Sequence, residues 1–473
     1  MKKRSIALLL SMTLMVSALT GCGASTSATT ETPATETPAA SETETAATDT
    51  TVTDTASTEK VDMSGTTITF WHAMGGVNGE ALDYLINKFN TDNKFGITVD
   101  AQYQGDYDET INKLKSAQLG NMGADLVQIY DIGTRFMIDS GWIVPMQELI
   151  DADGYDVSQI EPNIAAYYTV SNELYSMPFN SSTPIMYYNK DMFDKAGVTE
   201  IPASLPEIAA VADDLTSKGG AGEAISLGIY GWFFEQFGCK QGLSYVDNGN
   251  GREDVATAVE FDSNGAALNT LTEWKNLADA GVAPNVGRGG DSGLADFSAG
   301  KSAMTLGSTA SLKQILEEVN GKFEVGTAYF PSVSEGDKGG VSIGGGSLWA
   351  LNNEDDVKKA ATWEFVKFLV SAESQAYWNA QTGYFPVTTA AHDESVFKEN
   401  IAKYPQFETA INQLHDSAPE YAGALLSVFP EARQIVETEI ENMINGQTTP
   451  EEAVAKMAGD INASIEDYNL LNS

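Results

Sequence analysis

Four short stretches of this chain bring small, hydroxylated or charged residues together in ways that suit an anion or a polyol. Gly307-Ser308-Thr309-Ala310-Ser311 follows an apolar run at 302–305 and precedes a helical pattern at 312–319. Backbone N–H groups and a hydroxyl at a helix start favour a phosphate or carboxylate; plain N-capping by Ser308 or Ser311 is the competing reading. Gly344-Gly345-Gly346-Ser347 lets the backbone approach a ligand closely, or marks a tight turn or bulge. Ser181-Ser182-Thr183, after Phe179-Asn180, offers hydroxyls or is an ordinary polar turn. After Cys22 the chain has only four arginines, Arg135, Arg252, Arg288 and Arg433. Arg433 lies early in a helix opened by Pro430, and an i,i+4 pair with Glu437 is its plain alternative.

Signals for catalysis are weaker. The histidines, His72, His392 and His415, lie in no nucleophile-elbow pattern. Ser298 to Lys301 spells S-x-x-K without its companion motifs. Asp151, Asp153 and Asp156 have the start of a calcium-loop pattern, but the sixth position is not Gly and the twelfth is Pro162. Cys239 has no partner for an internal disulfide once Cys22 is modified, and no Cys/His cluster suits zinc. A net charge of −39 argues against nucleic-acid binding and suits a protein kept soluble at an exposed surface. The sequence therefore predicts a binding protein, not an enzyme, with no cofactor and no metal.

The elements that must position these residues alternate. A strand at 67–71, a helix capped by Asn78 with Leu82, Leu85, Ile86 and Phe89 on one face, a strand over Ile97 to Tyr103, a helix after Asp106 and Glu109 that stops at Gly120, and a strand at 126–129 follow in order. This β-α-β-α-β run is the signature of a parallel sheet with crossover helices. The alternation resumes with helices at 192–196, 205–215, 268–280 and 357–370 and a strand at 347–351. The last third is nearly all helix, with a capping box at Thr449 to Glu452. In open α/β sheets ligands sit beyond the carboxyl ends of the strands, where the serine and glycine stretches lie.

Location is written at the N-terminus. Lys2, Lys3 and Arg4 precede an apolar run at 6–19, too short for an ordinary membrane span. It ends in Leu19-Thr20-Gly21-Cys22, which resembles a bacterial lipobox. That resemblance implies a lipoprotein signal peptide over 1–21 and a lipid on Cys22, anchoring the chain to the outer face of the bacterial cell membrane. Residues 22–62 are Thr, Ala, Ser, Glu, Asp and Pro with almost nothing to bury, and read as a disordered acidic tether.

At the candidate residues the sequence resembles the sn-glycerol-3-phosphate-binding proteins of ABC importers, within the wider sugar-binding group of extracellular solute-binding proteins. FNSSTPIMYYNK (179–190) carries the likeness most strongly. FWHAM (70–74), GDY (105–107), QIYDIGT (128–134), VGR (286–288), GSTAS (307–311), GGGSLW (344–349), TGYFPV (382–387) and the Pro430–Arg433 segment extend it. The resemblance implies a type II periplasmic-binding-protein fold of two α/β lobes. One lobe would be 63–180 plus 305–342 and the other 181–304 plus 343–473, with a hinge of about three crossings near 180–184, 302–306 and 343–348. It implies a ligand set of Tyr107, Asp131, Ser182, Ser308, Gly345, Tyr384 and Arg433, in which Asp131 stands where the family has Glu and Trp232 stands where it has two Trp. The implied role is capture of sn-glycerol 3-phosphate or a glycerophosphodiester by a monomer and delivery to permease subunits. A neutral sugar held by Trp71, Trp232 and Tyr384 is the alternative.

Overall fold

Apolar positions 82, 85, 86 and 89 recur at helical spacing, and the computed structural model buries all four on helix Gly76–Asp92. The structure describes residues 61–118, 120 and 123–472. The expected signal peptide over 1–21, the expected lipid site Cys22 and the expected tether up to residue 60 lie outside them. The helix starts before Asn78: Gly75 and Gly76 make the entry turn, with Gly76 at φ 55°, and no side chain caps it.

The opening alternation gives parallel strands Thr67–His72, Thr98–Tyr103 and Leu126–Tyr130, the first between the other two. Helix Tyr107–Gln118 is entered through Asp106, whose Oδ1 accepts the Glu109 N–H at 2.7 Å. Strand Gly344–Leu351 completes the middle of this sheet. It runs antiparallel to Leu126–Tyr130 on one edge and pairs Met177–Ser182 and Ile143–Val144 on the other. A second sheet has the order Val325–Tyr329, Pro184–Asn189, Ser302–Ser308, Glu223–Ser226. Helices pack on both sheets, giving the mixed α/β architecture of two lobes.

Sheet membership corrects the segment assignment made above. Strands Ser302–Ser308 and Val325–Tyr329 pair within the second sheet, and Gly344–Leu351 belongs to the first. The short apolar run at 302–305 does not end there. It continues through Gly307 and Ser308, antiparallel to Pro184–Tyr188, so no crossing occurs at 302–306. Helices Asp356–Leu369 and Ala372–Thr382 follow strand Gly344–Leu351 onto the first lobe. Helix Gln406–Asp416 packs on strand Val325–Tyr329, and helices Phe429–Ile444 and Pro450–Asn472 also join the second lobe. The chain crosses at the single residue Thr183, again between Tyr329 and Gly344, and again between Thr388 and Gln406.

The last helix begins with the reciprocal capping box read from sequence. The Thr449 N–H donates to Glu452 Oε2 at 2.9 Å and the Glu452 N–H to Thr449 Oγ1 at 3.2 Å. Thr449→Ala is expected to lower stability by about 1 kcal/mol. An unchanged midpoint in urea denaturation would contradict this.

Candidate functional site

Strands of both sheets end at one cleft of ≈ 380 Å³, and all seven residues of the expected ligand set line it. Asp131 directly follows strand Leu126–Tyr130, Ser182 ends strand Met177–Ser182, and Ser308 ends strand Ser302–Ser308. Gly345 lies near the start of strand Gly344–Leu351. Tyr107 opens its helix, Tyr384 follows helix Ala372–Thr382, and Arg433 lies in the first turns of helix Phe429–Ile444. Of the aromatic set for a neutral sugar, Trp232 and Tyr384 line the cleft. Trp71 does not: its indole N–H donates to Gln102 Oε1 at 3.1 Å in a solvent-exposed pair.

A buried relay fixes the first wall. Gln128 Oε1 accepts the Ala73 N–H at 2.9 Å, Gln128 Nε2 donates to Asn180 Oδ1 at 2.7 Å, and Asn180 Nδ2 donates to the Tyr107 oxygen at 2.7 Å. With its oxygen accepting from Asn180, Tyr107 keeps its own O–H, which interacts with the Tyr384 hydroxyl. Its ring stacks on Tyr130 at 5.2 Å, and Tyr384 stacks on buried Trp378 at 5.5 Å. Burial, above all, holds the phenols of Tyr107 and Tyr384 above the usual range, so they stay neutral.

The glycine stretch is a bulge: pairing with Met177–Ser182 shifts register between Gly346 and Ser347. Gly345 has φ 92°, and a Cβ there would lie 1.9 Å from Asn180 O. Trp232 covers Gly344 so closely that a Cβ would meet its ring at 2.5 Å. The buried Trp232 Nε1 has no protein acceptor and is a donor left over at the cleft. On the opposite wall Ser308 caps the turn that leads to helix Leu312–Val319. Its Oγ accepts the Ala310 N–H at 3.1 Å and retains a proton to give. Ser311 makes no side-chain cap.

Arg433 is buried and is not paired with Glu437, which instead accepts the Gly231 N–H at 2.9 Å. Arg433 Nε and Nη2 donate to the two oxygens of Glu235 at 2.6 and 2.9 Å, and Nη2 also donates to Asp131 Oδ2 at 3.2 Å. Burial raises the pKa of both carboxylates above the ordinary range, against the pull of Arg433. Burial also disfavours the Arg433 charge, but Glu235 and Asp131 outweigh it and keep the guanidinium firmly protonated. Glu235 escaped the sequence reading. Its signal is present, however: one charged residue within Trp232-Phe233-Phe234-Glu235-Gln236-Phe237, where helix Gly231–Gln241 is otherwise packed with aromatics. Behind the triad a second cavity of ≈ 20 Å³ lies between Asp131, Glu235, Cys239 and Ser342, about the room one water needs.

Known proteins share this fold. Residues 84–409 match the family model of the bacterial extracellular solute-binding proteins. Over 400 residues the chain is 32% identical to the sn-glycerol-3-phosphate-binding periplasmic protein UgpB of Salmonella typhimurium, covering 82% of this chain and 90% of that one. The chain belongs to the bacterial extracellular solute-binding proteins. This solute-binding protein also shares its two-lobed fold with solved members. UgpB from Mycobacterium tuberculosis in complex with glycerophosphocholine superposes with a TM-score of 0.72 at 22% identity, covering 86% of this chain and 100% of that one. The GacH receptor of Streptomyces glaucescens gives 0.71 at 21% identity, over 85% and 98%. Among the described residues of the solute-binding protein, no helix is long and apolar enough to cross a membrane.

Proposed function

We propose that this solute-binding protein captures sn-glycerol 3-phosphate or a glycerophosphodiester between its lobes and delivers it to the permease of an ABC importer. The observation that carries the reading is the convergence on one cleft of Arg433, the hydroxyls of Ser182 and Ser308, the phenols of Tyr107 and Tyr384, and the unpaired Trp232 N–H. A guanidinium with neutral donors around it suits a phosphate ester, and Asp131 can accept from glycerol hydroxyls. The site binds and releases its solute unchanged. A lipid on Cys22 and the 22–62 tether would hold the protein, as a monomer, at the outer face of the cell membrane.

A neutral sugar is the second reading, favoured by one observation: Arg433 is already countered by two carboxylates. A thermal-shift screen decides between them. Glycerophosphates should raise the melting temperature by several degrees at millimolar concentration, as mass action requires of any ligand that binds the folded state alone. Stabilisation by oligosaccharides only would overturn the phosphate-ester reading.

A further inference from the structure

One buried positive charge at the cleft faces two buried negative ones, so the Arg433–Asp131–Glu235 triad carries a formal charge of −1. An anion arriving at that cluster meets repulsion from groups that water screens poorly. We propose that Asp131 and Glu235 act as an internal anion pair on Arg433, and that a ligand phosphate settles there only as the pair takes up one proton. This rests on the phosphate-ester reading above and names Glu235, which holds Arg433 from behind the cleft, as a residue that sets its specificity.

The geometry sets the order of events. Glu235 takes the Nε and Nη2 donors side-on at 2.6 and 2.9 Å, which orients the guanidinium. Asp131 makes one longer bond, 3.2 Å, to Nη2. The Nη1 edge and that Nη2 donor form the remaining fork, so a ligand phosphate competes with Asp131 first. Once displaced from Arg433, the buried Asp131 carboxylate keeps only the backbone N–H groups of Asp131 and Ile132 to favour its charge, against a larger cost of burial, and protonation follows. The proton binds to a carboxylate oxygen and comes from solvent; no other bond is made or broken.

The other groups facing the pair cannot substitute for it. Burial raises the Glu437 carboxyl as well, but the Gly231 N–H favours its charged form. Glu437 makes no bond to Arg433, so a phosphate arriving at the guanidinium displaces nothing there. Arg252 donates to the carbonyls of Ala166, Tyr167 and Gly423. Burial pushes up the phenols of Tyr107, Tyr130 and Tyr384 on the first-lobe side, and those of Tyr167 and Tyr168 on helix Pro162–Tyr168. The same holds for Tyr230 and Tyr245, and the Cys239 thiol is raised to about 11. These phenols and the thiol stay neutral near pH 7. Asp108 accepts the Tyr130 hydroxyl proton at 2.6 Å, and Asp291 lies toward solvent at the cleft mouth.

The test is calorimetric titration of the full chain with a glycerophosphodiester, whose single negative charge does not change over this pH range. Measured in buffers of different ionisation heat, binding should take up close to one proton. Affinity should tighten as pH falls, approaching about tenfold per pH unit where uptake is complete. Asp131→Asn and Glu235→Gln, each checked by thermal melting, should bind more tightly than wild type at neutral pH and lose most of the pH dependence. Binding without proton uptake overturns the proposal and leaves the phosphate-ester reading standing, as does weaker binding in both folded variants. No binding of the diester or of sn-glycerol 3-phosphate in wild type or in either variant overturns both.

Discussion

Arg433→Ala is expected to abolish phosphate-ester binding, a loss of about 2–5 kcal/mol, since truncating one partner of a buried, hydrogen-bonded charge pair typically costs that much. In Kd this is roughly 30- to several-thousand-fold. Arg433 is the only arginine lining the cleft among the described residues, so no other guanidinium can take its place. The same substitution leaves Glu235 and Asp131 buried without a countercharge and should also cost about 3–5 kcal/mol of folding stability. The sign of its pH dependence follows from the pair. Both carboxylates have folded-state pKa values raised above their ordinary ones, by burial and in spite of Arg433. A group raised in this way contributes stability that is fully present below its unfolded pKa, about 4 for a carboxylate, and lost as pH rises through the folded value. The Arg433→Ala deficit should therefore be smallest in acid and grow toward neutral pH. A series of melts with a deficit independent of pH would contradict the pairing, and unchanged calorimetric affinity would contradict the role.

Gly345→Ala is expected to be the most damaging small substitution in the cleft. The residue sits at φ 92°, and its new Cβ would lie 1.9 Å from Asn180 O. Left-handed backbone in a residue with a side chain costs of order 1–3 kcal/mol by itself. The contact adds to this, because the Asn180 oxygen is backbone within the first sheet and cannot rotate away. A total of about 3 kcal/mol or more is expected. Asn180 also holds Tyr107 at 2.7 Å, so relief of the clash moves a cleft phenol and weakens ligand binding as well. Equilibrium unfolding in urea measures the first effect. A loss under about 1 kcal/mol would mean that the bulge tolerates a side chain.

Local patterns in the sequence carried much of the architecture. The helical face of Leu82, Leu85, Ile86 and Phe89, the parallel order of the first three strands, and the Thr449–Glu452 capping box all follow from spacing of a few residues. Pairing between distant strands did not. Ser302–Ser308 and Gly344–Leu351 are both short, apolar and glycine-bearing, and nothing local says which sheet each will join. That is settled by edges left unpaired elsewhere in the fold, the ends of strands Pro184–Asn189 and Leu126–Tyr130 among them. At the site, resemblance named seven residues that the fold gathers at one cleft. It did not name Glu235, whose contact with Arg433 joins helices Gly231–Gln241 and Phe429–Ile444 across 198 residues of sequence. The plain alternative for Arg433, a pair with Glu437 on its own helix, was the nearer partner in sequence but not in space.

Co-crystallisation with sn-glycerol 3-phosphate or a glycerophosphodiester tests the central claim most directly. Phosphate oxygens are expected within hydrogen-bonding distance of the Arg433 guanidinium and of Ser182 or Ser308, with the Asp131 carboxylate moved off Nη2. A cleft that stays empty under saturating phosphate ester, but admits a sugar ring stacked on Tyr384 or Trp232 while Arg433 remains held by both Glu235 and Asp131, would contradict it.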